Sequence, residues 1–219
     1  MKLPWRQTTG TTGPAESHAV DPSADTTQPC PTLGRALAAV FKIERPQVLD
    51  FGPMCGDSVV YLADRGAKVR VEELVFPPAE APADADDAPP RRAFRIDLED
   101  ESFDLILAWE HCDYVPPERL DEFGAELHRL LRPGGWLLLF SLNRAPGEGG
   151  SGERPSRYRI VGDDRVSREP TNEAVRRRWH YPTRRIEQAV APLSIQTLHL
   201  QRTQMREFLC LKPAGRPVS

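Results

Sequence analysis

An α/β fold built on a mostly parallel sheet is what this sequence predicts, and three observations predict it. Short, mainly apolar runs recur at Val48–Phe51, Phe103–Ala108 and Trp136–Phe140, the pattern of strands covered on both faces. Between them lie segments whose apolar residues are spaced by three and four, the period of a helix with one buried side. Glycines mark the changes of period: Gly52 stops the first strand and Gly66 closes the helix that follows. Strand, glycine turn, helix, glycine, strand is a βαβ unit, and such units give parallel strands joined by right-handed crossovers.

The elements follow in order. Residues 1–31, rich in Thr, Gly, Pro, Ser and Asp, read as a flexible leader with too little apolar surface to offset the entropy of ordering. Thr32 is placed to cap a helix carrying Leu33, Leu37, Val40 and Phe41 on one stripe, and Pro46 ends it. After the first strand, Val59, Val60, Leu62 and Ala63 form the second helix, and Lys68–Leu74 the second strand. Residues 77–92, with five prolines among alanines and aspartates, form an acidic loop where a crossover helix is expected. Arg95–Leu98 reads as a short strand and Phe103–Ala108 as a clearer one. Pro116 and Pro117 open a helix bearing Leu120, Phe123, Leu127, Leu130 and Leu131, and Arg132-Pro133-Gly134-Gly135 ends it before Trp136–Phe140. A basic insert over 144–181 contains a small hairpin, Tyr158–Val161 and Arg165–Val166, turning at Gly162-Asp163-Asp164. Pro182 starts a helix with Ile186 and Val190, and Leu193–Leu200 and Arg206–Leu211 pair antiparallel at one sheet edge. The domain thus spans 32–213, with 214–219 as a tail.

At 219 residues and 39% hydrophobic content the chain supports one well-buried domain. A formal net charge of −3 gives no whole-chain argument for nucleic acid or a membrane surface. No apolar run approaches the roughly 18 residues of a membrane span, and the first residues lack a signal-peptide stretch. Cys30, Cys55, Cys112 and Cys210 are scattered, without metal spacing, as free thiols of a cytoplasmic protein would be.

The chemistry concentrates in Val48-Leu49-Asp50-Phe51-Gly52-Pro53-Met54-Cys55-Gly56-Asp57. A strand ending in Asp-x-Gly-x-x-x-Gly and entering a helix brings bare backbone to a ligand beside a helix N-terminus. Glu73 ends the next strand, where an acid in a nucleotide-binding βαβ unit accepts hydrogen bonds from both ribose hydroxyls. The glycine spacing is not Gly-x-Gly-x-x-Gly, and Gly56 is followed by Asp57 and Ser58 rather than Lys and Ser/Thr, so dinucleotide and P-loop sites fit poorly. A ligand with a ribose, no phosphates and a positive charge suits Asp50 and Asp57 better.

From about Val48 to Phe140 the chain resembles the class I methyltransferases that use S-adenosylmethionine. Val48–Gly56 resembles the family's first motif, Gly66–Glu73 its second-strand acid, Phe103–Leu107 its fourth-strand motif, and Leu130–Leu137 the turn before strand five. The resemblance implies a Rossmann-like methyltransferase fold, a mostly parallel seven-stranded sheet with a C-terminal antiparallel hairpin. It implies S-adenosylmethionine as cofactor, held by Asp50, Gly52, Gly56 and Glu73, with Asp97 on the adenine amino group. Pro53-Met54-Cys55 departs from the usual Gly-x-Gly-x-Gly by lacking its central glycine.

Methyl transfer from a sulfonium is an in-line displacement that requires alignment above all, with a base for an oxygen or nitrogen acceptor. Trp109-Glu110-His111-Cys112-Asp113-Tyr114 follows the fourth strand at the carboxyl edge of the sheet, where open α/β folds bind ligands. Glu110 and His111 are the candidate bases, and Trp109 or Tyr114 a candidate stacking surface for cofactor. The acceptor is unidentified. Residues 154–185 hold ten arginines against four acids, which fits an anionic acceptor, a nucleic acid, or internal pairing with acidic segments. A second reading keeps the fold, loses the chemistry, and has a protein partner cover the face bared by the 77–92 loop.

Overall fold

The structure, a computed structural model, describes residues 27–73, 95–144, 154–171 and 177–214. The acidic loop over 77–92 and residues 1–26 of the expected leader lie outside the described residues.

Strand β1 (Thr27–Pro29) precedes helix α1 (Pro31–Val40), β2 (Gln47–Phe51), α2 (Gly56–Ala63) and β3 (Lys68–Glu72). Then come β4 (Phe103–Trp109), two 3₁₀ turns at His111–Tyr114 and Pro117–Arg119, α3 (Leu120–Leu130) and β5 (Leu131–Leu142). The hairpin β6 (Ser156–Gly162) and β7 (Arg165–Pro170), α4 (Thr183–Val190), β8 (Ser194–Leu200) and β9 (Met205–Leu211) complete the chain. The main sheet has the order β3-β2-β4-β5-β9-β8; β3, β2, β4 and β5 run parallel, β9 is antiparallel to both its neighbours, and β8 runs in the direction of β5 again.

Alternation along each strand divides the core in two. Leu49, Phe51, Ile106, Ala108, Leu137, Leu139 and Phe208 face α3 and α4. Val48, Leu105, Leu107, Leu138, Phe140 and Leu209 face α1 and the hairpin. Burial on both faces is why these strands read as apolar runs rather than alternating ones.

Three expectations are corrected. The sheet has six strands among the described residues, because Arg95–Leu98 forms none. Its backbone is met by side chains instead: Arg129 donates to the carbonyls of Leu98 at 2.8 Å and Ile96 at 3.0 Å, and Glu126 accepts the Ile96 amide at 2.7 Å. Second, α1 begins two residues early, with Cys30 at the N-cap position and Pro31 in the first turn, and the Thr32 hydroxyl donates to buried Glu207 of β9 rather than capping. Third, Thr27–Pro29, read as part of the leader, is strand β1, which pairs antiparallel with β7 to make a second sheet, β1-β7-β6.

The turn before strand five also differs. β5 already pairs at Leu131 with Phe103, and the intervening residues bulge out so that Trp136 pairs with Leu105. Gly134 takes φ +81°, the left-handed region that favours glycine. The remaining elements fall where the periodicity puts them.

Candidate active site

At the carboxyl end of β2 the chain turns at Gly52 with φ +153°, and its amide donates to the Glu72 carbonyl at 3.3 Å. A Cβ there would stand 3.6 Å from Trp109 Cδ1 and 3.8 Å from His111 Cε1. The bend is therefore brought against the residues that follow β4, as the sequence order requires of adjacent parallel strands. Gly56, at the start of α2, has no atom within 4 Å of where a Cβ would be. Met54 is 72% exposed and does not fill the space. A cleft of about 220 Å³ opens here, walled by Met54, Cys55, Gly56 and Asp57 on one side and by Arg157, Arg159 and Glu169 of the hairpin on the other.

Beneath the bend lies Asp50, only 5% exposed. Trp109 donates its indole N–H to Asp50 Oδ1 at 2.6 Å. Burial pushes the Asp50 carboxyl up to about 6, and the indole bond only partly counters it. Trp109 sits at φ +36°, a backbone region bulky residues rarely occupy and one associated with sites where geometry is enforced by surroundings.

Those surroundings are the β6–β7 hairpin. Tyr158 stacks on Trp109 with centroids 4.8 Å apart and planes 5° from parallel, and Phe140 meets both rings edge-on. Glu110, buried next to Trp109, accepts from the Ser156 amide at 2.8 Å, the Tyr158 hydroxyl at 3.2 Å and Arg168 Nη2 at 3.0 Å. On the α2 side the Ile160 amide donates to Ser58 at 2.9 Å, Arg159 pairs with Asp57 at 3.3 Å, and the Tyr61 hydroxyl donates to Asp163. The hairpin thus spans from α2 to the end of β4, across the mouth of the bend.

Beside Glu110, His111 is half-buried, with Nδ1 3.0 Å from the Ala108 carbonyl. A carbonyl only accepts, so Nδ1 carries the ring proton and Nε2 keeps the lone pair. Burial lowers His111 to about 4, and at neutral pH the ring is uncharged. Asp113 lies deeper, accepting from Ser141 at 2.7 Å and the Leu142 amide at 2.8 Å, and burial raises it to about 6.

Of the residues singled out from sequence, Asp50 is hydrogen-bonded to Trp109, Gly52 lies beside Trp109 and His111, and Gly56 faces the open cleft. Glu73 follows the last residue of β3 and is exposed beside the bend, one residue past the carbonyl that holds Gly52. Asp97 is exposed on the irregular stretch that replaces the expected strand. Glu110 is turned into the hairpin contact. Tyr158 and Arg168 were not singled out; the signal was available in the alternation of Ser156, Tyr158 and Ile160, which are buried, with Arg157 and Arg159, which are not.

The basic insert spends much of its charge inside the chain. Arg159 pairs with Asp57 and Glu169, Arg168 with Glu110, and Arg185 with Asp121, while Arg177 donates to the Arg144 carbonyl. Among the described residues no helix is long and apolar enough to cross a membrane.

Comparison with known proteins bears on the fold. Residues 49–139 match the family model described as methyltransferase domain. An S-adenosylmethionine-dependent methyltransferase from Mesorhizobium loti superposes with a TM-score of 0.53 at 16% identity, over 83% of this chain and 96% of that one. S-adenosylmethionine-dependent methyltransferases from Methanosarcina mazei give 0.48 at 16% identity, over 78% and 94%. The 1,6-didemethyltoxoflavin N1-methyltransferase of Burkholderia thailandensis gives 0.46 at 19%, over 84% and 77%. At 16% identity the superposition on the Mesorhizobium loti protein speaks to fold alone. No protein of curated function matches the sequence. The matched segment carries the Gly52–Gly56 bend and the β4 edge together, so over residues 49–139 the chain is similar to the methyltransferase domain.

Proposed function

We propose that this chain binds S-adenosylmethionine at the Gly52–Gly56 bend and methylates a small molecule held between the β4 edge and the hairpin. The observation that carries the reading is the bend itself: open space at Gly56, a buried carboxylate at Asp50 beneath it, and Glu73 exposed at the end of the neighbouring strand. The residues present fit this cofactor. It is cationic and lacks phosphates, and Asp50 offers a negative charge whose burial cost is relieved by a positive neighbour. Glu73 accepts from the ribose hydroxyls, Asp97 from the adenine amino group, and bare backbone at Gly52 and Gly56 allows close approach. When bound, S-adenosylmethionine supplies a methyl carbon made electrophilic by its positively charged sulfur.

The chain's own task is to align and to take a proton. His111, uncharged at neutral pH with its ring proton on Nδ1, is the base for an oxygen or nitrogen acceptor. Glu110, already accepting three hydrogen bonds in the hairpin contact, anchors rather than abstracts. The internal pairing of Arg159, Arg168 and Arg185 supports a small acceptor over a nucleic acid, because it leaves fewer charges for phosphates.

Calorimetric titration with S-adenosylmethionine and S-adenosylhomocysteine tests the reading. Micromolar binding by the wild type is expected, and Glu73→Ala weakens it about tenfold through lost ribose hydrogen bonds. Absence of heat, together with an unchanged melting temperature in saturating ligand, overturns the assignment.

A further inference from the structure

We propose that Arg168 is a positioning residue of the cofactor site, acting through Glu110 to hold the Trp109–His111 segment against the Gly52 bend. The inference rests on the methyltransferase reading and adds to it a residue from outside the matched segment 49–139.

Three side chains form a closed ring of hydrogen bonds. Arg168 donates through Nε to the Tyr158 hydroxyl at 3.1 Å and through Nη2 to Glu110 Oε2 at 3.0 Å, while Tyr158 donates to the same carboxylate oxygen at 3.2 Å. The Glu110 and Arg168 side chains are 4% and 24% exposed, so solvent screens this pair little. Glu110 sits between the two residues that touch the bend. On its N-terminal side, Trp109 is held at φ +36° with its indole bonded to Asp50 and its ring under Tyr158. On its C-terminal side, His111 approaches Gly52.

A left-handed backbone at a tryptophan persists only where contacts on both sides over-determine it. Here one set of contacts is the Asp50 bond, and the other is the stack and the ring on the hairpin. Without the guanidinium, Glu110 keeps a buried charge with only neutral donors, and the segment relaxes toward solvent to hydrate it. Trp109 and His111 move with it, and the wall of the bend moves with them. Only the fork of an arginine bonds Tyr158 and Glu110 at once; a lysine ammonium matches the charge without that geometry.

The test compares Arg168→Met, Arg168→Lys and the double variant Glu110→Gln/Arg168→Met with wild type. Each is read by thermal melting, by tryptophan fluorescence and by S-adenosylhomocysteine titration. Arg185→Met, which breaks an exposed ion pair with Asp121, is the control. Arg168→Met is expected to melt lower and to bind at least tenfold more weakly, with a changed tryptophan emission. Arg168→Lys recovers melting more than it recovers affinity. In the double variant the unpaired charge is gone, so melting returns toward wild type, while affinity stays at least fivefold reduced and emission stays shifted. Recovery of affinity together with melting in the double variant makes the pair a fold contact only and overturns the proposal. So does an Arg168→Met protein that binds as tightly as Arg185→Met. Failure of the wild type itself to bind overturns the methyltransferase reading, and the proposal falls with it.

Discussion

Asp50→Asn melts higher than the wild type at pH 7.5 and binds S-adenosylmethionine less tightly. The first effect follows from burial. The carboxyl rises from 3.8 to about 6 in the folded chain because ionisation there forfeits hydration. The folded value exceeds the unfolded one, so ionisation costs the folded state. That cost is absent below the unfolded value, grows as pH rises toward about 6, and is fully present above it. Two units at about 1.4 kcal/mol each put it near 3 kcal/mol. Asparagine removes the charge and still offers an oxygen to the Trp109 indole. The melting temperature of a domain this size then rises by roughly 5 to 10 °C at pH 7.5, and the gain vanishes near pH 4. The second effect has the opposite sign because the site uses what the fold resists: a carboxylate beside a cationic ligand. Wild-type affinity falls up to about tenfold per pH unit below pH 6 as the carboxyl is protonated, whereas the asparagine variant shows no such slope. A variant that melts no higher than wild type at pH 7.5 would show that Asp50 is hydrated; a wild-type affinity flat from pH 7 to pH 5 would show that it does not face the ligand's charge.

That opposition explains which parts of the molecule were legible beforehand. The bend was legible because its physics is local: an aspartate before a glycine, a second glycine at a helix start and an acid at the next strand end lie within 24 consecutive residues. The covered strands were legible for a similar reason, since burial on both faces leaves an apolar signature in each. Arg95–Leu98 misled because its alternation suits a strand, while the partners that decide its backbone, Glu126 and Arg129, come some thirty residues later on α3. Thr27–Pro29 carries no pattern at all, and becomes a strand only because β7 offers an edge. Glu110 shows the same limit at the site. A carboxylate after β4 looks like a base until Ser156, Tyr158 and Arg168, 46 to 58 positions on, fold back to claim it. The contact of His111 with the Ala108 carbonyl, three residues away, is local by comparison.

On the face of the sheet away from the hairpin, Gly124→Ala lowers stability sharply while leaving cofactor affinity unchanged. Glycine in mid-helix is a poor choice by propensity, and alanine there should gain about 1 kcal/mol. Contact with α4 reverses the sign. A Cβ at Gly124 would overlap the carbonyl of Ala189 and stand 3.2 Å from the Val190 amide nitrogen. The obstacle is backbone, so no side chain can rotate aside; α3 and α4 must separate, with loss of packing around Phe123, Leu127, Ile186 and Val190. Overpacking of this kind costs about 3 kcal/mol or more, enough to outweigh the propensity gain and leave a net loss near 2 kcal/mol. Melting then falls by roughly 4 to 8 °C. Affinity is spared because the bend, Trp109 and the hairpin rest on β2, β4 and α2, across the sheet from α4. Equal or raised stability in Gly124→Ala would mean that the two helices do not touch at this glycine. A loss of affinity as large as that of Arg168→Met would mean that the helix face and the cofactor face are coupled, and the division of the core into two independent layers would not hold.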